Sequence, residues 1–264
     1  MFNTVFVHPI FNLLAVLYAF AHDFGLAIIL LTIVIRGLLW PLVTKQLHSQ
    51  RALQELQPEL KRIKTQAAGD KTLEGKLTME LYKEREINPF ASFLPLLIQL
   101  PIFFALFIVL KDIVKPGQIA AIAYEPVKHL GPIADIIKNH VAFKPTLLSV
   151  IDLTKPSPLL AALAAAAQFV QTKQITPQRT PGDAQAQMMA GMTYVFPALT
   201  FFIGLSLPSP LPLYWLTASA MAVLQQYLVL KRDVEELEDG TPTPAQPALN
   251  PSKQLGKGKK KRKK

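Results

Sequence analysis

Between Gly25 and Val43 the sequence reads GLAIILLTIVIRGLLWPLV, an apolar run in which Arg36 is the only ionisable residue. As a helix that rises about 1.5 Å per residue, this run is about long enough to cross the hydrocarbon core of a bilayer. An ionised guanidinium there costs on the order of 2.5–3.5 kcal/mol even on lenient insertion scales, and arginine cannot lose its charge as a buried lysine can. We therefore predict that Arg36 faces water or a partner inside the protein. The alternative is that Arg36 snorkels to the nearby headgroups.

The composition is that of a membrane protein. Half of the 264 residues are hydrophobic, and 17% are charged, against roughly 25% in soluble domains. The absence of cysteine rules out disulfides, thiolate metal ligands and a lipidation cysteine. The histidines show no metal-ligand spacing, and the sequence contains no P-loop, HExxH or GxSxG motif. We therefore expect no enzyme activity, no metal and no cofactor.

Five apolar segments predict an all-α integral membrane protein with five transmembrane helices, at residues 25–43, 90–110, 159–175, 188–207 and 211–230. Only three residues separate the last two spans, so we expect them to form a tight helical hairpin. Within residues 1–24, an apolar stretch is short and is interrupted by His8, Pro9 and Asn12. We predict that it forms an interfacial helix on the outer face, with a sixth span as the alternative.

Basic residues indicate the orientation of these spans. Residues 45–86 contain nine, the connection between the third and fourth spans two, and the chain from Lys231 onward ten. The connection 111–156 contains six. The positive-inside rule therefore places the amino terminus and loop 111–156 outside, and the carboxy terminus in the cytoplasm.

The connection 46–88 carries two apolar stripes. Leu53, Leu56, Leu60, Ile63 and Ala67 recur at helical spacing, and Leu73, Leu77 and Leu81 follow a turn at residues 67–70. This pattern predicts a cytoplasmic hairpin of two antiparallel helices, in which Pro58 either kinks the first helix or starts its last section. A solvated spacer is the alternative.

The carboxy-terminal segment 231–264 predicts a cytoplasmic basic tail. The last helix continues to Asp239, a proline-rich linker follows at 240–251, and eight positive side chains without an acidic one lie between Lys253 and Lys264. Such a cluster binds polyanions by counterion release, and both the ribosome and anionic lipids are candidates. A tail that only sets topology or solubility is the alternative. No aromatic residue interrupts the cluster, so we expect no DNA partner. The predicted contact residues are Lys257, Lys259, Lys260, Lys261, Arg262, Lys263 and Lys264.

Several motifs together resemble the YidC/Oxa/Alb membrane insertase family, in its short bacterial form. They are AIILLTIVIR at 27–36, PLVTKQ at 41–46, LQPE at 56–59, LYKE at 81–84, Asn88-Pro89 and LPLLIQLPIF at 94–103. The resemblance implies five helices around a hydrophilic groove that is open to the cytoplasm and to lipid and closed to the outside. It also implies the groove residues that would bind substrate, namely Arg36, Thr32, Gln99, Gln168 and Trp215, with Gln171 as the alternative to Gln168. From the resemblance we expect a form without the large periplasmic domain and the extra leading span of the Gram-negative members.

The function that the resemblance implies is that of a membrane protein insertase and chaperone in the bacterial cell membrane. Its partners would be nascent membrane proteins, and the sequence leaves open whether a Sec translocon cooperates. A hydrated groove with one fixed positive charge would lower the cost of carrying a short polar segment into the membrane, without nucleotide hydrolysis. The alternative is a small channel or transporter gated by Arg36. A proton-coupled transporter would ordinarily need an intramembrane carboxylate, and no predicted span contains one.

Overall fold

The computed structural model describes residues 1–88, 94–113, 117–139, 143–175 and 184–238. A π-helical stretch, Asn3–Val7, leads into the first helix. The elements that follow are α1 (His8–Ala21), α2 (Phe24–Leu38), α3 (Trp40–Glu55), α4 (Gln57–Ala67), α5 (Lys71–Glu84), α6 (Leu94–Ile113), α7 (Gln118–Ile122), α8 (Glu125–Lys128), α9 (Gly131–Lys138), β1 (Thr146–Leu147), β2 (Ile151–Asp152), α10 (Pro158–Ile175), α11 (Ala184–Ser206) and α12 (Pro210–Glu238). Residues 90–93 of the second predicted span, the linker 240–251 and the basic cluster lie outside the described residues.

The amino-terminal helix packs one face against the rest of the protein. Phe11 and Leu14 are buried, and α1 contacts α2, α6 and the short helices α7 to α9. Asn12 is also buried, and hydrogen bonds satisfy its side chain there. Its amide donates to the carbonyl of Ile122, and its side-chain oxygen accepts from the N–H of Tyr124. From Asn3 to Ala21 the helix is long and apolar enough to cross a membrane. Its interfacial position therefore stays a prediction.

The first predicted span is not one straight helix. The chain bends by 63° between α2 and α3, at Leu39. Pro41 lies in the first turn of α3, where its missing N–H costs nothing and its fixed φ suits a helix start. The hydropathy pattern does not indicate this helix start. Residues 40–43, which were predicted to be the end of the first span, therefore belong to the next helix.

Helices α4 and α5 form a hairpin, as the two leucine stripes predict. Pro58 lies in the first turn of α4, so it starts this section and does not kink a longer helix. The turn places Ala68 and Gly69 at positive φ, and the carboxylate of Asp70 caps α5 by accepting from the backbone of its first turn. At the open end, Arg85 Nη2 lies 2.7 Å from Glu59 Oε1. The cytoplasmic location of this hairpin stays a prediction.

The carboxy-terminal helices differ from the predicted tight hairpin. Helix α10 packs extensively on both α11 and α12, whereas α11 and α12 contact each other little. Close approach depends on small residues: a Cβ added at Gly204 of α11 would lie 2.9 Å from Ala161 Cβ, which is fully buried. Helix α12 also packs on α2, and it continues beyond the membrane-length stretch to Glu238, close to the predicted helix end.

The lengths and apolar compositions of the helices in the structure can be compared with the five predicted spans. In the described part of the chain, two helical stretches are long and apolar enough to cross a membrane, at Asn3–Ala21 and Pro210–Lys231, and α2 with α3 qualifies as a bent pair. Shorter apolar stretches lie in α6 and α11, at Gln99–Leu110 and Thr193–Ser206. The structure is therefore that of a largely helical membrane protein, and the number of five spans stays a prediction.

One departure from an all-α fold occurs between α9 and α10. Strands β1 and β2 form an antiparallel β-hairpin, with Thr146 opposite Asp152 and Leu147 opposite Ile151. Ahead of the hairpin, Phe143 packs edge-on against Tyr18 and Phe24, with ring centroids 5.7 and 5.0 Å apart. These aromatic contacts join the segment between α6 and α10 to the junction of α1 and α2.

Candidate functional site

Arg36 lies in the last turn of α2, two residues before the helix ends at the bend. Its side chain is half-buried, and among the described residues it has no hydrogen bond and no salt bridge. Tyr214 of α12 lies close enough to interact with the guanidinium electrostatically. The carboxy-terminal end of a helix carries a partial negative charge, so the position favours a cation. The bend therefore turns a residue predicted to lie within a span into one at the end of a helix.

Thr32 lies one turn before Arg36, but its surroundings differ. The side chain is 1% exposed, and its hydroxyl donates to the carbonyl of Ile28 at 2.7 Å. This hydroxyl proton is therefore used within α2. In the described arrangement, Thr32 packs inside the protein and does not line an open surface.

Gln99 of α6 reaches α12. Its Nε2 donates to the hydroxyl of Tyr214 at 2.6 Å, and Tyr214 is 2% exposed. Sequence reasoning named Gln99 but not Tyr214. The available signal was the hydroxyl itself, because a tyrosine inside an apolar span needs a hydrogen-bond partner just as a glutamine does.

Trp215 also joins α12 to α6. Its ring stacks on Phe103, with centroids 5.8 Å apart and planes 6° from parallel. Phe103 follows Gln99 by one helical turn, so the hydrogen bond and the stack lie on neighbouring turns of α6. We name Arg36, Gln99, Phe103, Tyr214 and Trp215 the Arg36 cluster. It brings together three of the five residues that sequence analysis assigned to the groove.

Gln168 lies elsewhere. Its Oε1 accepts a hydrogen bond from the hydroxyl of Thr200, which joins α10 to α11. Thr200 is buried, and among the described residues no hydrogen bond links Gln168 to the Arg36 cluster. The alternative residue Gln171 is half-buried. The structure therefore places one predicted groove residue in a helix–helix contact.

Further buried polar side chains, on α3 and α12, were not predicted. Gln225 is 1% exposed and donates to the carbonyl of Trp40 at 3.0 Å. Gln226 is buried too, and its Oε1 has no hydrogen-bond partner among the described atoms, nor have the buried oxygens of Thr44 and Gln50. An unpaired buried acceptor costs about 1–3 kcal/mol. Polar side chains are therefore buried on α3 and α12 as well as in the Arg36 cluster.

No metal site accompanies these groups. In the ranges that the structure describes, no three histidine, cysteine, aspartate or glutamate residues lie close enough together to hold a metal ion. The Arg36 cluster can therefore offer one positive charge, amide and hydroxyl hydrogen bonds and an aromatic surface. These groups suit the reversible binding of a peptide segment.

The chain is similar to known proteins over most of its length. The family model described as 60Kd inner membrane protein matches residues 16–236. A membrane protein insertase YidC of Fusobacterium nucleatum is 36% identical over 233 residues, which cover 84% of this chain and 98% of the relative. The YidC of Laribacter hongkongensis is 32% identical over 231 residues, which cover 87% of this chain but 36% of that longer protein.

A solved structure agrees with these relatives. The crystal structure of an active YidC insertase with its first transmembrane domain resolved has a TM-score of 0.55 and 26% sequence identity to this chain. The similarity covers 86% of this chain and 46% of the solved one. Motifs, relatives and structure thus agree, and the chain belongs to the YidC family of membrane protein insertases.

Proposed function

We propose that this protein inserts other proteins into the bacterial cell membrane, helps them fold, and binds them transiently at the Arg36 cluster. The observation that carries the proposal is the state of Arg36: it is charged, half-buried and without an ion pair or hydrogen bond among the described residues. An arginine with a purely structural role in a helical bundle would be paired, because an unpaired buried charge is destabilising. An unpaired one is suited to attract a group that comes and goes.

The positive charge would act on the polar end of a client. At an effective dielectric constant of about 20, a carboxylate about 4 Å from Arg36 gains roughly 4 kcal/mol of attraction. This gain lowers the cost of bringing a short acidic segment into the membrane. It is small enough for the segment to leave again, so no covalent step and no nucleotide is needed.

The neutral groups would act on the rest of the client. Trp215 and Phe103 offer an aromatic surface, while the apolar helix of the client moves into lipid and gains roughly 25 cal/mol per Å² of apolar surface removed from water. Gln99 offers a neutral hydrogen-bonding group on α6, but its Nε2 already donates to the hydroxyl of Tyr214. Thr32 and Gln168 already have partners, so a client that binds Gln168 would have to displace Thr200.

The proposed orientation has the amino terminus outside and the α4–α5 hairpin and carboxy terminus in the cytoplasm. Nascent membrane proteins are the proposed substrates. The basic tail is proposed to bind the ribosome or anionic lipids. A client panel that includes Sec-dependent proteins would determine whether a translocon takes part. The relatives described above are named insertases, so a channel or transporter gated by Arg36 has no support.

The test uses purified protein in vesicles of phosphatidylethanolamine and phosphatidylglycerol, a single-span client with an acidic external segment, and protease protection without nucleotide. Arg36→Ala should lower the insertion rate about tenfold, or roughly 1.4 kcal/mol. This is less than the attraction of roughly 4 kcal/mol, because the cost of removing the carboxylate from water offsets part of it. Arg36→Lys should restore most of the rate, because the charge and not the fork of the guanidinium is required.

A client whose external segment has no acidic residue is the control for the Arg36 variants. Its insertion should change little with Arg36→Ala. Equal insertion of acidic and neutral clients by wild type and Arg36→Ala would contradict the proposed role of the charge. If wild type inserted neither client, the insertase proposal itself would be wrong.

A further inference from the structure

The tip of the β-hairpin, residues 148–150, exposes two aliphatic side chains. Leu148 is 63% exposed and Val150 is 84% exposed, although both belong to an ordered turn between β1 and β2. Turns that face water are usually built from glycine, asparagine, aspartate or serine. Two neighbouring aliphatic side chains at such a tip indicate contact with an apolar phase.

The backbone of the tip supports this reading. Leu148 has φ 50° and Ser149 has φ 59°, the left-handed region that glycine and asparagine adopt most readily. A leucine at such a position is strained, and asparagine there would relieve the strain and be more soluble. Strain that persists at an exposed site points to a function for the side chain.

Both ends of the β-hairpin are held where helices begin. A Cβ added at Gly25 would lie 2.5 Å from Leu147 Cδ1, so β1 packs directly on the backbone of the first turn of α2. After β2, the carbonyl of Lys155 accepts from the N–H of Ser209 at 3.2 Å, and Ser209 is fully buried in the turn between α11 and α12. The β-hairpin thus lies level with the first residues of α2 and α12.

Helix α12 by itself, and α2 together with α3 as a bent pair, are long and apolar enough to cross a membrane. A hairpin level with the first residues of two such helices would lie at a membrane surface. Two lysines flank it: Lys144 is exposed, and the side chain of Lys155 is 78% exposed and lies 3.3 Å from Asp152 Oδ2. An exposed ion pair of this kind is worth about 0–1 kcal/mol, so it leaves Lys155 able to contact a phosphate. Lysines beside an aliphatic tip match the order of a lipid leaflet, in which phosphate groups lie above acyl chains. A binding site for a second protein would not require lysines on either side of an aliphatic tip.

We propose that the hairpin tip is a lipid anchor: Leu148 and Val150 insert into the leaflet at which α2 begins, and Lys144 and Lys155 contact lipid phosphates. The anchor holds this end of α2 at a fixed depth, which in turn fixes the depth of Arg36 farther along the same helix. This role needs no client and is therefore separate from insertion.

The chain has no cysteine, so single labels can be placed without removing native ones. Val150→Cys carries an environment-sensitive nitrobenzoxadiazole label, in vesicles of phosphatidylethanolamine and phosphatidylglycerol with or without doxyl-labelled lipid. The control is Glu125→Cys, a position with a 77% exposed side chain in the segment between α6 and α10. The label at 150 should emit at shorter wavelength and be quenched by doxyl lipid several-fold more than the label at 125.

A label at 150 that emits as in water, with no more quenching than at 125, would overturn the proposal. Shielding that occurs in native membranes but not in pure lipid vesicles would also overturn it, because a protein would then cover the tip. In a second variant, Leu148→Asn should keep or raise thermal stability in detergent and reduce quenching at 150. Undiminished quenching in that variant would show that the label itself, and not the tip, enters lipid.

Discussion

The protein offsets only part of the free-energy cost of placing the charged Arg36 in an apolar helix. Charge at a helix end is worth about 0.3–1 kcal/mol, and up to about 2 kcal/mol in a partly buried geometry. Placing the guanidinium within a membrane costs on the order of 2.5–3.5 kcal/mol. The helix end that the bend creates therefore offsets part of the cost and leaves a remainder. Water or a client carboxylate at the half-buried side chain can supply that remainder.

Variants of the hydrogen bond between Gln99 and Tyr214 can separate an effect on protein stability from an effect on insertion. Gln99→Leu or Tyr214→Phe alone leaves a buried polar group without its partner, so each should destabilise the protein by about 1–3 kcal/mol. The double variant removes both groups and should recover most of that loss. Thermal unfolding in detergent measures the stability, and the vesicle assay measures insertion.

The double variant should still insert acidic clients more slowly than wild type, because the polar surface beside Arg36 is gone. If the double variant were both stable and fully active, the hydrogen bond would serve only to pack α6 on α12. If the losses of the two single variants simply added, the two side chains would not interact as the structure indicates.

At the scale of single residues, sequence analysis found the polar groups that a span tolerates poorly. Arg36 stood out because apolar segments rarely contain an arginine, whereas Gln99 was assigned to the groove from the family resemblance. Tyr214 did not stand out, because a tyrosine in a span is ordinary until its hydroxyl is seen to accept from Gln99. The partner of Gln168 could not be predicted either, since it depends on which helix α10 packs against.

At the scale of elements, a hydrogen bond from α12 holds the bend between α2 and α3. Gln225 reaches from α12 to the carbonyl of Trp40, and Gln226 beside it has an unpaired oxygen. These two neighbours form a matched pair. Gln225→Leu should destabilise the protein by about 0.5–1.5 kcal/mol, the net value of a hydrogen bond, whereas Gln226→Leu should be neutral or stabilising.

Thermal unfolding of both variants measures these effects. Spin labels in α2 and α3 should also show a broader distance distribution in Gln225→Leu than in Gln226→Leu. Equal stability and equal distance distributions in the two variants would mean that the hydrogen bond to Trp40 does not hold the bend.

The α4–α5 hairpin is the element that we expect to affect delivery of clients. Replacing residues 57–84 with a short glycine–serine linker should leave the remaining helices folded, because the hairpin packs mainly on itself. Insertion should fall, since two short helices that contact little else are well placed to move with a client. Unchanged insertion at unchanged thermal stability would make the hairpin a spacer.

Sequence analysis predicted the helices that a local periodic pattern defines. It did not predict how helices from distant parts of the chain pack together. The stripes of α4 and α5 are local, and Asp70 caps α5 through its own neighbours. That α10 packs on both α11 and α12 depends on Gly204 meeting Ala161, a contact between distant parts of the chain. A short loop at 208–210 predicted that α11 and α12 lie side by side, and it could not reveal this arrangement.

For the whole molecule, the basic tail predicts a dependence on salt. Removing residues 251–264 takes away eight positive side chains. Ribosome binding at low salt should then weaken, and its dependence on salt should become flatter, because fewer counterions are released. Cosedimentation with ribosomes across a salt series is the measurement, and insertion of a small client added after synthesis should be unaffected. Identical curves for full-length and truncated protein would leave anionic lipid as the target.

The position of α12 has a consequence for how the protein itself is made. Gln225 follows Trp40 by 185 residues, so α2 and α3 leave the ribosome long before the helix that holds their bend. At roughly 5–20 residues per second, the delay is on the order of 10–40 s. During that time the bend lacks its hydrogen bond from Gln225, and Arg36 lacks its neighbour Tyr214. A newly made copy should therefore depend on an existing insertase, so that the supply of this protein sustains its own production.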